Sequence, residues 1–316
     1  MRVLPTLRQL KYLVAVADHR HFGRAAEECL IAQSTLSAGL RELEDLLGVT
    51  LVGRGKREAA LTPVGEDIVE RARGLLRDAG ELVDAARAGN QPLSGLLRLG
   101  VIPTVAPYVL PQVLPELRRA YPDLRLYLRE EQTARLLELL RRGRLDGALI
   151  ALPYATDGLD EMRLDEDPLL IACPRDHRFA QRTAIDVAEL SGEKLLLLED
   201  GHCLRNHALT ACNLLPGQAN EDIQATSLGT LVQMVAGGLG LTLVPRLAAA
   251  IETRREPALA LIGFADRAPA RTIALVWPSR SVRAPDLRLL GEAVHAHLAS
   301  LPAAAAYTPE GDSPGG

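Results

Sequence analysis

The residues best suited to chemistry in this 316-residue sequence are two cysteines nine positions apart, Cys203 and Cys212. They follow an apolar run that ends at Leu198, and the pattern predicts a strand, a turn and then a helix with Cys203 in its first turn. Unpaired N–H groups and the helix dipole there favour a thiolate, and His202 and Arg205 add nearby positive charge. A thiolate attacks peroxide to form a sulfenic acid. We therefore expect Cys203 to be a reactive, partly exposed thiol.

The spacing of the pair has a mechanical consequence. Nine helical steps would separate the two Cα atoms by ~13 Å along the axis, whereas a disulfide tolerates at most ~7 Å. A helix over this segment, with Asp200 as its candidate N-cap, would have to unwind before Cys203 and Cys212 could bond. Such a segment would be a redox switch with two discrete packings. Cys29 and Cys173 lie in apolar patterns that predict buried, inert thiols.

The same residues permit two other hypotheses. His202, Cys203, His207 and Cys212 could supply four metal ligands, because Cys203 and His207 share a helical face at i, i+4. Mass measurement of apo and metal-loaded protein would separate that role from a redox role. Cys203 could instead be the nucleophile of a thiol peroxidase, which turnover with a thiol reductant would test. We expect no metal and no cofactor.

The region after residue 95 alternates predicted strands and helices, the pattern of an α/β fold that binds ligands at the carboxyl ends of its strands. The predicted strands span residues 96–102, 124–129, 146–152, 168–173, 194–198, 241–244 and 272–277, and the predicted helices span 106–120, 133–142, 227–236 and 285–298. We expect two open parallel sheets of roughly 100 residues each. The Ala-, Pro- and Gly-rich residues 301–316 are expected to be disordered.

The first 62 residues predict three short helices and a basic β-wing. The second helix, over residues 22–30, is expected to turn Cys29 and Leu30 inward. The third helix is held to the body by Leu36, Leu40, Leu43 and Leu47. Its exposed side presents residues that can pair with base edges or phosphates in a major groove: Gln33, Ser34, Thr35, Ser37 and Arg41. Residues 1–60 carry nine Lys/Arg against seven Asp/Glu, although the whole chain has a net charge of −4.

A long helix begins at Pro63 and is predicted to run to about Ala88, with an apolar stripe along its length. A stripe that long predicts a partner helix and hence a dimer. The chain has no apolar run of the ~18 residues that span a bilayer, and its N-terminus has no secretory pattern. We therefore expect a cytoplasmic protein with no membrane partner, and few disulfides.

Residues 7–65 resemble the winged helix-turn-helix of the LysR-type transcription regulators. The likeness is carried by Leu10-Lys11-Tyr12-Leu13, Phe22-Gly23-Arg24-Ala25-Ala26, Gln33-Ser34-Thr35-Leu36-Ser37, Leu43-Glu44, Leu47-Gly48 and Leu61-Thr62-Pro63-Val64-Gly65. It implies an N-terminal all-α winged helix-turn-helix with a long linker helix, then an α/β effector domain of two Rossmann-like, periplasmic-binding-protein-like subdomains. It also implies a homotetramer, double-stranded promoter DNA and RNA polymerase as partners. Arg54 would contact phosphate from the wing, although Val52 replaces the aromatic residue common beside it.

The resemblance divides the chain as follows. Residues 1–62 form the DNA-binding domain, residues 63–89 the dimerisation helix and residues 90–95 a hinge. Residues 96–165 with 268–300 form the first regulatory subdomain, and residues 166–267 form the second, which holds the two redox cysteines.

Residues 198–212 resemble the hydrogen-peroxide-sensing members of this family, whose hallmark is Gly-His-Cys-Leu-Arg with a second cysteine nine residues on. The likeness extends to segments 102–108, 132–133, 192–196, 225–228 and 271–273, and Asn206-His207 departs from it. It implies hydrogen peroxide as the effector, Cys203 as the peroxidatic cysteine and Cys212 as its resolving disulfide partner. Thr104, Thr133, His202 and Arg271 would line the peroxide pocket, with Arg271 polarising the departing oxygen. A family member that senses a metal or small metabolite between its subdomains is the alternative.

Overall fold

A computed structural model describes residues 3–53, 59–88, 91–211, 224–266 and 268–307. The chain divides into two compact units, one made of residues 1–91 with 142–144 and the other of residues 92–141 with 145–316. The predicted subdivision of the second unit into two regulatory subdomains stays a prediction.

The first unit is a small helical domain followed by one long helix. Its elements are α1 (Leu7–His19), α2 (Phe22–Glu28), α3 (Gln33–Leu47), β1 (Val52–Gly53), β2 (Ala60–Leu61) and α4 (Pro63–Ala88). Thr6 caps α1 in a reciprocal capping box with Gln9, and Gly48 ends α3 in the left-handed conformation. Gly39 lets α1 and α3 approach closely, because a Cβ there would lie 2.9 Å from the Tyr12 ring. The predicted helix-turn-helix is confirmed.

The second helix is shorter than its sequence pattern suggests. It ends at Glu28, and Leu30 adopts a positive φ of 56° with 91% of its surface exposed. The expectation that Leu30 faces the core is therefore wrong. Cys29, expected to be buried, is half-buried and caps the end of α2. The helix stops two residues early because the chain reverses there to enter α3.

The wing and the long helix follow. β1 and β2 pair antiparallel, with Val52 opposite Leu61, and the predicted wing residue Arg54 lies outside the described residues. The helix α4 buries Val69 and Ala72 in the core of its unit, whereas Leu75 and Leu82 are exposed. An apolar side of α4 thus remains uncovered within one chain. Dimerisation through residues 63–89 stays a prediction.

The second unit is built on a mixed sheet flanked by helices. Its strands are β3 (Gly95–Val101), β4 (Leu124–Glu130), β5 (Gly147–Leu152), β6 (Leu159–Pro174), β7 (Ala184–Ile185), β8 (Leu197–Leu198), β9 (Gln224–Ala225), β10 (Thr242–Pro245), β11 (Leu259–Phe264) and β12 (Ala270–Pro278). Its helices are α5 (Ala106–Ala120), α6 (Thr133–Arg141), α7 (Cys203–Ala211), α8 (Leu228–Ala236), α9 (Arg246–Arg255) and α10 (Ala284–Ser300), with 3-10 turns at Val187–Leu190 and Ala304–Tyr307. None of the described helices has the length and apolarity that a membrane crossing requires.

The strand order shows that the expectation of two open parallel sheets is wrong. Eight strands form one connected sheet in the order β4-β3-β5-β12-β6-β11-β7, with β10 also paired to β6. β3 pairs parallel with β4 and β5, but β12 runs antiparallel to both β5 and β6. The long strand β6 makes the connection, because its first part pairs with β12 and its last part with β10 and β11. The predicted subdomain boundary at residues 165–166 lies inside this strand.

Candidate functional site

Cys203 is the first residue of α7, as the sequence pattern predicts, but its side chain is only 7% exposed. The apolar strand β8 precedes it and pairs parallel with β9. Leu204 and Ala208 carry α7 into the same apolar core as β8. The expectation of a partly exposed thiol is therefore wrong. A buried thiol at a helix start is accessible only to small reactants.

The two side chains expected to influence Cys203, His202 and Arg205, each lie beside a carboxylate. His202, 6% exposed, has Nε2 3.6 Å from Oε1 of Glu199. Arg205, 7% exposed, places Nε 2.8 Å from Oδ1 of Asp200, and its Nη1 donates to the carbonyl of Leu198 at 3.3 Å. Asp200, the candidate N-cap of α7, thus pairs with Arg205. The pair with Asp200 braces the loop before Cys203 and offsets the positive charge of Arg205.

The start of α6 lies against this loop. Nε2 of Gln132 donates to the carbonyl of Asp200 at 3.3 Å. Gly201 has a φ of +93°, a conformation that favours glycine, and a Cβ on it would displace the end of the Gln132 side chain. Thr133, the first residue of α6, is 1% exposed, and its buried Oγ1 has no hydrogen-bond partner among the described residues. The loop before Cys203 therefore meets a helix start that carries an unsatisfied hydroxyl.

Arg271 lies in β12 and is 1% exposed, with three fixed hydrogen bonds. Its Nη1 donates to Oγ1 of Thr104 at 2.7 Å and its Nη2 to the carbonyl of Thr104 at 3.1 Å. Its Nε donates to Oδ2 of Asp167 at 3.0 Å, and Oδ1 of Asp167 accepts from the backbone N–H of Leu247 at 3.0 Å. Burial raises the pKa of Asp167 while Arg271 opposes the rise. The guanidinium is held rigidly, with its charge matched by one buried carboxylate.

Asp167 is the residue of this network that the sequence analysis missed. It lies opposite Arg271 in the β6–β12 register and precedes the buried apolar end of β6. The signal in the sequence that could have identified Asp167 was an acidic residue at the entry to an apolar strand. Its partner could be identified only from the strand pairing.

His207 adds a polar group to the side of α7 that carries Cys203. It lies four residues after Cys203 and is half-buried, and its Nδ1 has neither solvent access nor a described hydrogen-bond partner. Burial and the charge of Arg271 lower the pKa of His207 to about 4.

The structure also bears on the remaining cysteines and on the metal hypothesis. Cys212 lies outside the described residues. Burial, then the negative charges of Asp176 and Glu193, raise the pKa of Cys173 to about 12, which keeps it a neutral thiol. Within the described ranges, no group of three or more His, Cys, Asp or Glu side chains could hold a metal ion.

The predicted DNA-reading residues lie on α3. Gln33, Ser34, Thr35 and Arg41 are exposed and Ser37 is half-buried. Leu36, Leu40 and Leu43 are buried on the opposite side, whereas Leu47 is 37% exposed and does not anchor the helix as expected. The N-terminal part of α3 is therefore free to enter a groove.

Two family comparisons cover most of the chain. Residues 7–66 match the family described as bacterial regulatory helix-turn-helix protein, lysR family, and residues 90–299 match the LysR substrate binding domain. The chain belongs to the LysR family of bacterial regulators. The first match contains the whole of α1–α3, and the second contains Cys203, Arg271 and Asp167. The predicted fold class is confirmed.

Individual LysR-family proteins match over nearly their full length. The DNA-binding transcriptional dual regulator OxyR of Escherichia coli is 42% identical over 292 residues, covering 92% of this chain and 95% of that protein. A full-length cysteine-to-aspartate variant of OxyR from Pseudomonas aeruginosa has a TM-score of 0.74 and 36% identity, covering 92% of this chain and 98% of that one. A cysteine-to-serine variant of Corynebacterium glutamicum OxyR with hydrogen peroxide bound has a TM-score of 0.67 and 37% identity, covering 97% and 96%.

Proposed function

We propose that this LysR-family chain is a DNA-binding transcription regulator that senses hydrogen peroxide through oxidation of Cys203. The observation that carries the proposal is the buried guanidinium of Arg271, which Thr104 and Asp167 hold in a fixed orientation. The OxyR proteins that resemble this chain, one of them with peroxide bound, support the same role.

The proposed reaction has two balanced steps. The Cys203 thiolate attacks one oxygen of hydrogen peroxide and forms an S–O bond as the O–O bond breaks. Cys203 becomes a sulfenic acid, and the second oxygen departs as hydroxide. N–H groups of Arg271 stabilise the charge that builds on the departing oxygen. His202 and the hydroxyls of Thr104 and Thr133 orient the oxidant.

The second step would convert the oxidation into a structural change. The Cys212 thiol attacks the sulfenic sulfur, forms the disulfide and releases water. The net reaction is two thiols and one peroxide to one disulfide and two waters. Because Cys203 begins a regular helix, a bond to Cys212 requires α7 to unwind, which gives the switch two discrete packings.

The output of the proposed switch is promoter binding. Gln33, Ser34, Thr35, Ser37 and Arg41 would read or flank base edges in the major groove. Arg54 would contact phosphate from the wing. We further propose a homotetramer with dimer contacts through residues 63–89, RNA polymerase as a partner, and action in the cytoplasm, where promoter DNA lies.

A footprint on matched DNA tests the proposed function. Duplexes enriched from a random pool by the reduced protein are footprinted before and after one equivalent of hydrogen peroxide, with intact mass measured in parallel. We expect oxidation at Cys203 and an altered footprint in wild type and in Cys173→Ala, and neither in Cys203→Ser. An oxidised protein with an unchanged footprint would instead favour a metabolite-sensing regulator.

A further inference from the structure

His207 holds a buried polar atom that no group in the described part of the chain satisfies. Its Nδ1 has no solvent access and no hydrogen-bond partner there. Buried polar atoms in native proteins are almost always paired, so an unpaired one in a site points to a ligand or an ordered water. The proposed function gives this nitrogen no role.

The position of His207 relates it to Cys203. Residues four apart on a helix lie on one face, so both side chains are on the same side of α7. The loop before Cys203 also meets the start of α6, because Nε2 of Gln132 donates to the carbonyl of Asp200 at 3.3 Å, and Thr133 follows Gln132. Asn206, the adjacent residue, is exposed and offers a matched control.

The charge state of His207 decides what its nitrogen can do. Burial and Arg271 lower its pKa to about 4, so the imidazole is neutral near pH 7. A neutral imidazole has one N–H donor and one bare nitrogen that accepts a hydrogen bond. A neutral His207 therefore adds no positive charge to that of Arg271.

The polar groups of the proposed site define the kind of ligand. Thr133 Oγ1 is buried and lacks a partner among the described residues. Thr104 Oγ1 accepts from Arg271, which leaves its own proton to donate. A small uncharged molecule with both donor and acceptor atoms complements these groups, and hydrogen peroxide has two O–H donors and free lone pairs.

We propose that Nδ1 of His207 accepts a hydrogen bond from an O–H of hydrogen peroxide and so holds the oxidant in front of Cys203. The inference rests on the proposed function and adds a substrate-contacting residue to it. His207 stays neutral throughout: the sulfur attacks one oxygen, the O–O bond breaks, and the electron pair leaves on the other oxygen, to which Arg271 donates. No proton is transferred to the imidazole.

Matched variants test the proposal by stopped-flow oxidation of Cys203 with hydrogen peroxide and, in parallel, alkylation with iodoacetamide. His207→Leu should slow oxidation about tenfold, the size expected for one lost hydrogen bond to the bound oxidant, with alkylation changed less than about twofold. His207→Asn, whose amide lies near the Nδ1 position, should recover most of the rate. Asn206→Ala should behave as wild type in both reactions.

Two outcomes overturn the proposal: equal slowing of both reactions in His207→Leu, or no slowing of either. A ¹⁵N-histidine spectrum of Cys203→Ser gives a measurement that needs no change at position 207. Peroxide should shift the Nδ1 resonance of His207, and an unmoved resonance contradicts the contact. If wild-type Cys203 is itself inert to peroxide, the proposed function fails; if it reacts and His207→Leu matches it, only this inference fails.

Discussion

Removing Arg271 separates peroxide chemistry from simple thiol access, but the obvious variant is confounded. Arg271→Ala alone would leave the Asp167 carboxylate, 1% exposed, without its counter-charge. Breaking a buried pair in this way costs about 3–5 kcal/mol, a large share of the ~5–15 kcal/mol that stabilises a typical domain. The informative comparison is Arg271→Met with Asp167→Asn against wild type, because the double variant leaves neither buried charge without its partner. The amide oxygen introduced at position 167 can still accept from the Leu247 N–H.

The expected effect follows from the role proposed for the guanidinium. Two of its N–H groups are spent on Thr104 and one on Asp167, which leaves two of its five donors for the departing oxygen. Losing one preorganised donor to a developing oxyanion costs ~100-fold or more in rate. We expect the double variant to be oxidised by peroxide at least ~100-fold more slowly than wild type.

Iodoacetamide supplies the contrasting reaction. Iodoacetamide is neutral, and the Cys203 thiolate displaces its iodide without forming an oxyanion. The alkylation rate therefore reports the access to Cys203 and its thiolate content. Both rates are measured by stopped flow on the reduced protein, with circular dichroism confirming the fold. Equal slowing of oxidation and alkylation would mean that Arg271 acts on the thiol alone, and no slowing of either would remove it from the site.

The remaining predictions concern the resolving cysteine, the DNA contacts and one titration. Cys212→Ser should trap Cys203 as sulfenic acid or let it over-oxidise, seen as mass increments of one to three oxygens without a disulfide; a persisting intramolecular disulfide would contradict the pairing. Arg54→Ala should weaken binding to all duplexes and lower the salt slope by about one, whereas Gln33→Ala should change sequence preference at similar affinity; the reverse pattern would exchange their roles. Burial and a neighbouring guanidinium hold the pKa of His207 at about 4, so between pH 4 and its ordinary value near 6.5 the unfolded chain binds the extra proton. Stability should therefore fall as pH drops through that window, and denaturant midpoints of His207→Asn should fall less than those of wild type.

The helical domain was predictable because its signals are local. Apolar residues at helical spacing, a left-handed Gly48 and Pro63 at a helix start all act within a few residues. The sheet was not predictable, since the direction of each strand depends on pairing with strands that are distant in the sequence. The strand β5 is buried on both faces and suggests a parallel sheet, yet it lies between parallel β3 and antiparallel β12. The first half of β6 is polar and contains no apolar run that would predict a strand.

The site divides in the same way. The helix start at Cys203 was predicted from neighbouring residues, but its burial depends on β8 and on α7 packing into one core. Three acids stand together at Asp165, Glu166 and Asp167, and their sequence does not say which one meets Arg271. Register decides it, because Asp167 lies opposite Arg271 and Asp165 pairs with a different arginine at 2.7 Å.

Charge compensation around Cys203 connects the structure to the choice of oxidant. Arg271 is matched by Asp167 and Arg205 by Asp200, and His207 is neutral near pH 7. An anion entering such a site would lose its hydration without meeting an unpaired cation, which is unfavourable in a buried environment. A small uncharged molecule loses far less, and it can be oriented by fixed donors and unsatisfied hydroxyls. The negative charge appears only when the O–O bond breaks, at the oxygen to which Arg271 can donate. The site thereby suits a neutral peroxide in the ground state and an oxyanion in the transition state.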